Sequence, residues 1–162
     1  MITTEKLTPT VGALVEGVDK DRLLHDDDFP AWCLEELEAN GALVFRNLHI
    51  DDDTQVAWSR RLGEVEKLGR GDHPEIFRVT LDPAKNPAAQ YLRGTFDWHI
   101  DGCTDDIPIM ATILSAHAVS ATGGETEFAS SYDAYERLPA DGSPLNRRWD
   151  ASMVCTTRSV ST

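Results

Sequence analysis

The texture of this chain changes near Thr95. Before that point apolar residues at helical intervals stand among strand-like stretches, as Trp58, Leu62 and Val65 do at i, i+4 and i+7. After it they fall in short bursts between turn residues: Met110 to His117, then Thr122-Gly123-Gly124, then Glu125 to Ala129. Helices first and short strands later argue for an α+β domain with a β-sandwich or jelly-roll core. At 162 residues, 41% of them hydrophobic, the chain suits a single domain over 1–162 with a core of its own.

The early elements can be placed one by one. Val11, Leu14, Val15 and Val18, broken by Gly12 and Gly17, suggest short strands and turns. Asp28 to Asn40 reads as a helix, with Pro30 in its first turn and Asn40-Gly41 as its stop. Gly41 to Arg46 reads as a buried strand, and a second helix follows the next acidic turn, weakening at Gly63. Ile76 to Leu81 alternates like another strand, with Asp82 to Asn86 as the loop after it. Ser131 to Leu138 reads as a short helix. Ser152 to Thr156 looks like a strand in need of a partner, and an unpaired strand is an exposed edge. On that ground the fold is expected to be incomplete, and association into a homo-oligomer becomes an expectation.

Charge and cysteines narrow the function classes. A formal charge of −13 repels phosphate backbones and anionic membranes, so a nucleic-acid footprint is not expected. Much of the excess sits in Asp26-Asp27-Asp28 and Asp51-Asp52-Asp53. Neither run has the alternating ligands and glycine of a calcium loop; helix starts or solvated acidic turns are expected instead. Cys33, Cys103 and Cys155 are odd in number and widely spaced, giving neither a disulfide framework nor a zinc knuckle. With no long apolar run and no signal-like N-terminus, the expected place is the cytoplasm, away from the membrane.

The chemistry concentrates in Phe96-Asp97-Trp98-His99-Ile100-Asp101-Gly102. On a strand, residues two apart project to one face, so His99 and Asp101 would present an imidazole and a carboxylate together. Those are two legs of a facial triad for non-haem iron(II), with positions left for a bidentate cosubstrate and oxygen. A His-x-Asp spacing also arises by chance as a surface pair, and the surrounding residues decide between the two.

Trp98-His99-Ile100-Asp101, then Ala121-Thr122-Gly123-Gly124-Glu125-Thr126, then Ser131-Tyr132-Asp133-Ala134-Tyr135 closely resemble the core of the TauD/TfdA dioxygenases. Upstream, Gly41 to Asn47 resembles that family's G-x-x-x-F-R strand, and Arg60-Arg61-Leu62-Gly63-Glu64 its R-x-G-E helix end. The resemblance runs from about Leu7 to Leu138. It implies a double-stranded β-helix (jelly-roll) core with flanking helices. It also implies an oxidoreductase using Fe(II), 2-oxoglutarate and O2 to hydroxylate a small organic acid, with decarboxylation to succinate.

By the resemblance, His99 and Asp101 match the first two metal ligands, and Thr126 matches a hydroxyl that holds the distal carboxylate of 2-oxoglutarate. Thr126 also reads as a plain turn-ending residue. A carboxylate at Asp101 favours hydroxylation, since related halogenases carry a small residue there. Tyr91 and Thr95 read equally as substrate-pocket or ordinary loop residues, and Val65 to Arg70 departs from the taurine-using pattern. The family's third ligand, a histidine, and its 2-oxoglutarate-pairing arginine have no match before Thr162. His73, His117, Arg147 and Arg148 match neither position, so weak metal binding and poor turnover are expected of this chain alone. A catalytically inactive remnant or binding module of the same fold stays open beside the dioxygenase, as does a cupin-like metal enzyme independent of 2-oxoglutarate.

Overall fold

A computed structural model describes residues 1–69, 71–86, 89, 90, 92, 97–103 and 105–138, together with the backbone of 155–159. The chain opens with β1 (Thr3–Lys6) and β2 (Ala13–Glu16), paired antiparallel with Thr3 opposite Glu16. Strand β3 (Leu43–Phe45) then lies parallel to β2, with Ala13 opposite Leu43. A parallel pair cannot be joined by a tight turn. The connection here contains α1 (Lys20–His25) and α2 (Phe29–Asn40). The central strand β2 buries Ala13 and Val15 and leaves Glu16 in solvent.

The acidic runs act as helix starts and solvated turns. Asp51 accepts the Thr54 amide at 2.8 Å and opens α3 (Asp52–Leu62). Hydrogen bonds from Thr54, with Lys20 beside them, pull the Asp51 carboxyl down from 3.8 to about 2. Asp28 precedes α2, and Asp19 caps α1 through the Arg22 amide at 2.9 Å. Gly41 ends α2 with φ +72°, its amide donating to the Leu37 carbonyl at 2.7 Å. The turn thus delivers the chain directly into β3.

Leu23, Phe29, Cys33 and Trp58 form the centre of the core, with Trp32, Phe45, Leu62 and Ile113 packed around them. The Phe29 ring stacks against Trp32 and Trp58, with centroids 5.4 Å apart in each case. Ile113 comes from beyond the metal motif, and its carbonyl accepts the Gln55 side-chain amide of α3 at 3.2 Å. Later in the chain, β4 (Thr126–Ser130) pairs antiparallel with β5 (Cys155–Ser159), Ser130 opposite Cys155. Helix α4 (Ser131–Glu136) starts at Ser130, whose hydroxyl accepts the Asp133 amide at 3.2 Å. Among the described residues no helix is long and apolar enough to cross a membrane.

The α+β class holds among the described residues, as a mixed three-stranded sheet, a two-stranded ribbon and helices. Several expectations are corrected. Ile76 to Leu81 is not a strand: Arg78 turns its guanidinium to Asp52, and its carbonyl accepts the Asn86 amide at 3.3 Å. Met110 to His117 is not a strand either, although Ile113 packs on the helical core and Leu114 is exposed as alternation would have it. A strand needs a neighbour to complete its ladder, and neither segment pairs with one among the described residues. The last strand lies at 155–159 rather than 152–156, and β4 partners it along one edge. Residues 152–154 lie outside the described set. Helix α4 stops two residues short of Leu138.

Candidate metal centre

His99 forms a single isolated β-bridge, and Asp101 opens a turn through Cys103. The expectation that both lie on one regular strand is therefore corrected. The turn takes its shape from Gly102, at φ +64°, and from the Asp105 amide, which donates to the Gly102 carbonyl at 3.2 Å. The two side chains still converge, with His99 Nε2 3.4 Å from Asp101 Oδ1.

The other ring nitrogen explains the orientation. His99 Nδ1 lies 2.8 Å from the Asp97 carbonyl oxygen. A carbonyl only accepts, so Nδ1 carries the proton and donates, leaving the Nε2 lone pair facing the carboxylate in the neutral ring. With the ring neutral two acceptors face each other, an arrangement that a proton or a metal cation between them would satisfy. A direct charge-assisted hydrogen bond would be about 2.7–2.9 Å long. Adjacent ligands on a metal with bonds of about 2.1 Å sit about 3 Å apart, close to the observed separation. A backbone carbonyl behind the distal ring nitrogen is also how metal-binding histidines are held. An imidazole nitrogen beside a carboxylate oxygen is a donor pair of the kind that suits iron(II). Among the described residues no group of three or more His, Cys, Asp or Glu side chains is arranged to hold a metal.

Thr126 is exposed and begins β4, opposite Ser159, directly after Gly123, Gly124 and Glu125. Tyr91 and Thr95 lie outside the described residues, as do Arg147 and Arg148. His73 turns its Nε2 to Asp53 at 3.7 Å, and His117 is exposed at a bend. A cavity of about 330 Å³ lies elsewhere, between Val15–Val18 and Phe45–Leu48 at the ends of β2 and β3.

Three contributors escaped the sequence reading. The Asp97 carbonyl orients the histidine without any side-chain signal, so nothing in the sequence could have revealed it. The turn at Asp101-Gly102 did carry one, since Asp-Gly is a turn dipeptide. Arg61, noted only within the helix-end motif, sends its guanidinium to the carbonyls of Leu23 at 2.5 Å and Asp26 at 2.7 Å. It thereby satisfies the open end of α1.

Known proteins resemble this chain over most of its length. An (S)-phenoxypropionate/alpha-ketoglutarate-dioxygenase of Delftia acidovorans is 32% identical over 149 residues, covering 85% of this chain and 50% of that protein. Pentalenolactone F synthase of Streptomyces avermitilis is 30% identical over 142 residues, covering 81% of this chain and 45% of that one. The crystal structure of AAD-2 in complex with Mn(II) and N-oxalylglycine superposes with a TM-score of 0.67 at 26% identity, over 86% of this chain and 47% of that one. The chain thus spans about half the length of these relatives. The family described as taurine catabolism dioxygenase TauD, TfdA family matches residues 3–160, and the chain belongs to it.

Proposed function

We propose that this chain carries the first two metal ligands of an iron(II)/2-oxoglutarate-dependent dioxygenase that hydroxylates a small organic acid. The observation that carries the reading is the pair itself: His99 Nε2 and Asp101 Oδ1, 3.4 Å apart, with the imidazole held from behind by the Asp97 carbonyl. In this reading the sheets belong to a double-stranded β-helix. His99 gives a neutral nitrogen donor, Asp101 gives a charged oxygen donor, and the Thr126 hydroxyl donates to the distal carboxylate of 2-oxoglutarate. Iron(II) bound there supplies the redox chemistry by which O2 and 2-oxoglutarate are consumed.

Tyr91 and Thr95 are read as substrate contacts. One relative supports an organic acid, since it is named for (S)-phenoxypropionate. A net charge of −13 opposes an anionic substrate at long range, so the acid must be held by local donors. We place the reaction in the cytoplasm, away from membrane and nucleic acid, consistent with free Cys33 and Cys103. Homo-oligomerisation fits the exposed apolar residues of the later half, such as Ile107, Leu114 and Phe128.

The test is succinate release from 2-oxoglutarate, with iron(II) and O2, over a panel of aryloxy and aliphatic acids. Coupled succinate and hydroxylated product are expected from the natural polypeptide, with His99→Ala reducing both by about 100-fold or more. Succinate no higher than in His99→Ala for every acid would overturn catalysis and favour a binding module of the same fold.

A further inference from the structure

We infer that Gly102 is a positioning residue for the Asp101 carboxylate, and that a side chain at 102 weakens metal binding by moving that carboxylate away from His99. The inference rests on the metal reading of the pair. Gly102 has φ +64°, a conformation that L side chains rarely adopt. A Cβ built there would lie 2.7 Å from Ile109 Cγ1, 2.9 Å from Ile109 Cδ1 and 3.2 Å from Asp105 Oδ2. The first two are closer than real Cβ atoms approach, so something must shift. On one side stand Ile109, half-buried, and the Asp105 amide that closes the turn onto the Gly102 carbonyl. On the other side stands Asp101, exposed and opening the turn. The end of the Ile109 side chain can yield in part, but a side chain at φ +64° strains the backbone wherever Ile109 goes, and relief by rotation of the peptide joining 101 to 102 swings the Asp101 carboxylate. Metal–ligand distances tolerate only about 0.2 Å, so a small swing suffices.

The experiment follows Mn(II) broadening of the His99 ring signals by NMR in the 162-residue chain, with the amides of α3 as the check on folding. Gly102→Val is expected to weaken Mn(II) binding roughly tenfold or more while the α3 signals stay in place. Ile109→Ala in the Gly102→Val background is expected to restore part of the affinity, because it removes the clash and leaves the backbone strain. If Gly102→Val does not fold, Gly102→Ala carries the same comparison, with a loss of roughly threefold expected. A folded variant that binds Mn(II) as the wild type does overturns the inference and leaves the metal reading standing. Wild-type His99 signals that ignore Mn(II) overturn both.

Discussion

Cys33 sits on α2 between Leu23, Phe29 and Trp58, where burial first and the Glu36 carboxylate second push its thiol up from 9.0 to about 12. A raised thiol pKa means that the folded state resists losing this proton. Its contribution to stability is complete below pH 9 and disappears as pH rises through 12. Urea midpoints measured across that window should fall, with a slope approaching about one proton per molecule, and Cys33→Ala should flatten the fall. At pH 8, iodoacetamide should label exposed Cys103 well ahead of Cys33. Equal labelling of the two in the folded chain would contradict the packing described. The residue scale is also where the candidate site was most and least legible. His99 and Asp101 stand out by type and spacing, because a facial triad needs those two donors together. The Asp101-Gly102 dipeptide signals the turn in which they meet, but the geometry of that meeting was hidden. It depends on the Asp97 carbonyl and on Ile109 against Gly102, and neither is a property of the motif.

Among the elements, α2 and α3 were legible because their signals are local: Pro30 near one start, Asp51 at the other, Gly41 and Gly63 at the stops. Ile76 to Leu81 and Met110 to His117 misled because alternation describes a strand only if a partner exists, and a partner is not encoded in the segment itself. Helix α1 went unseen at six residues, with Leu23 alone fully buried. Its end is held from another element by Arg61, which joins α3 to α1 through the carbonyls of Leu23 and Asp26. A guanidinium reaches two carbonyls at once, whereas a lysine ammonium cannot reproduce that fork. Arg61→Ala should therefore cost about 2 kcal/mol in urea denaturation, and Arg61→Lys should recover less than half of it. No change in midpoint for Arg61→Ala would mean that α1 is held by packing alone.

For the whole molecule, an early core of helices on a three-stranded sheet is joined through Ile113 and Gln55 to the segment that follows the metal motif. The segment after the pair thus reaches the buried cluster of Leu23, Phe29, Cys33 and Trp58, while many later apolar side chains are exposed. Tyr91 and Thr95 lie outside the described residues, so the substrate half of the reading rests on the sequence. The central claim is that His99 and Asp101 together hold iron(II) in a form that 2-oxoglutarate can chelate. It is tested most directly by anaerobic titration of the chain with iron(II) and saturating 2-oxoglutarate, watching for the visible charge-transfer band of a 2-oxo acid chelated to protein-bound iron. The account predicts a band that needs both additions and is lost in His99→Ala and in Asp101→Ala. A band of equal strength in either variant, or none in the wild type at saturation, would contradict it.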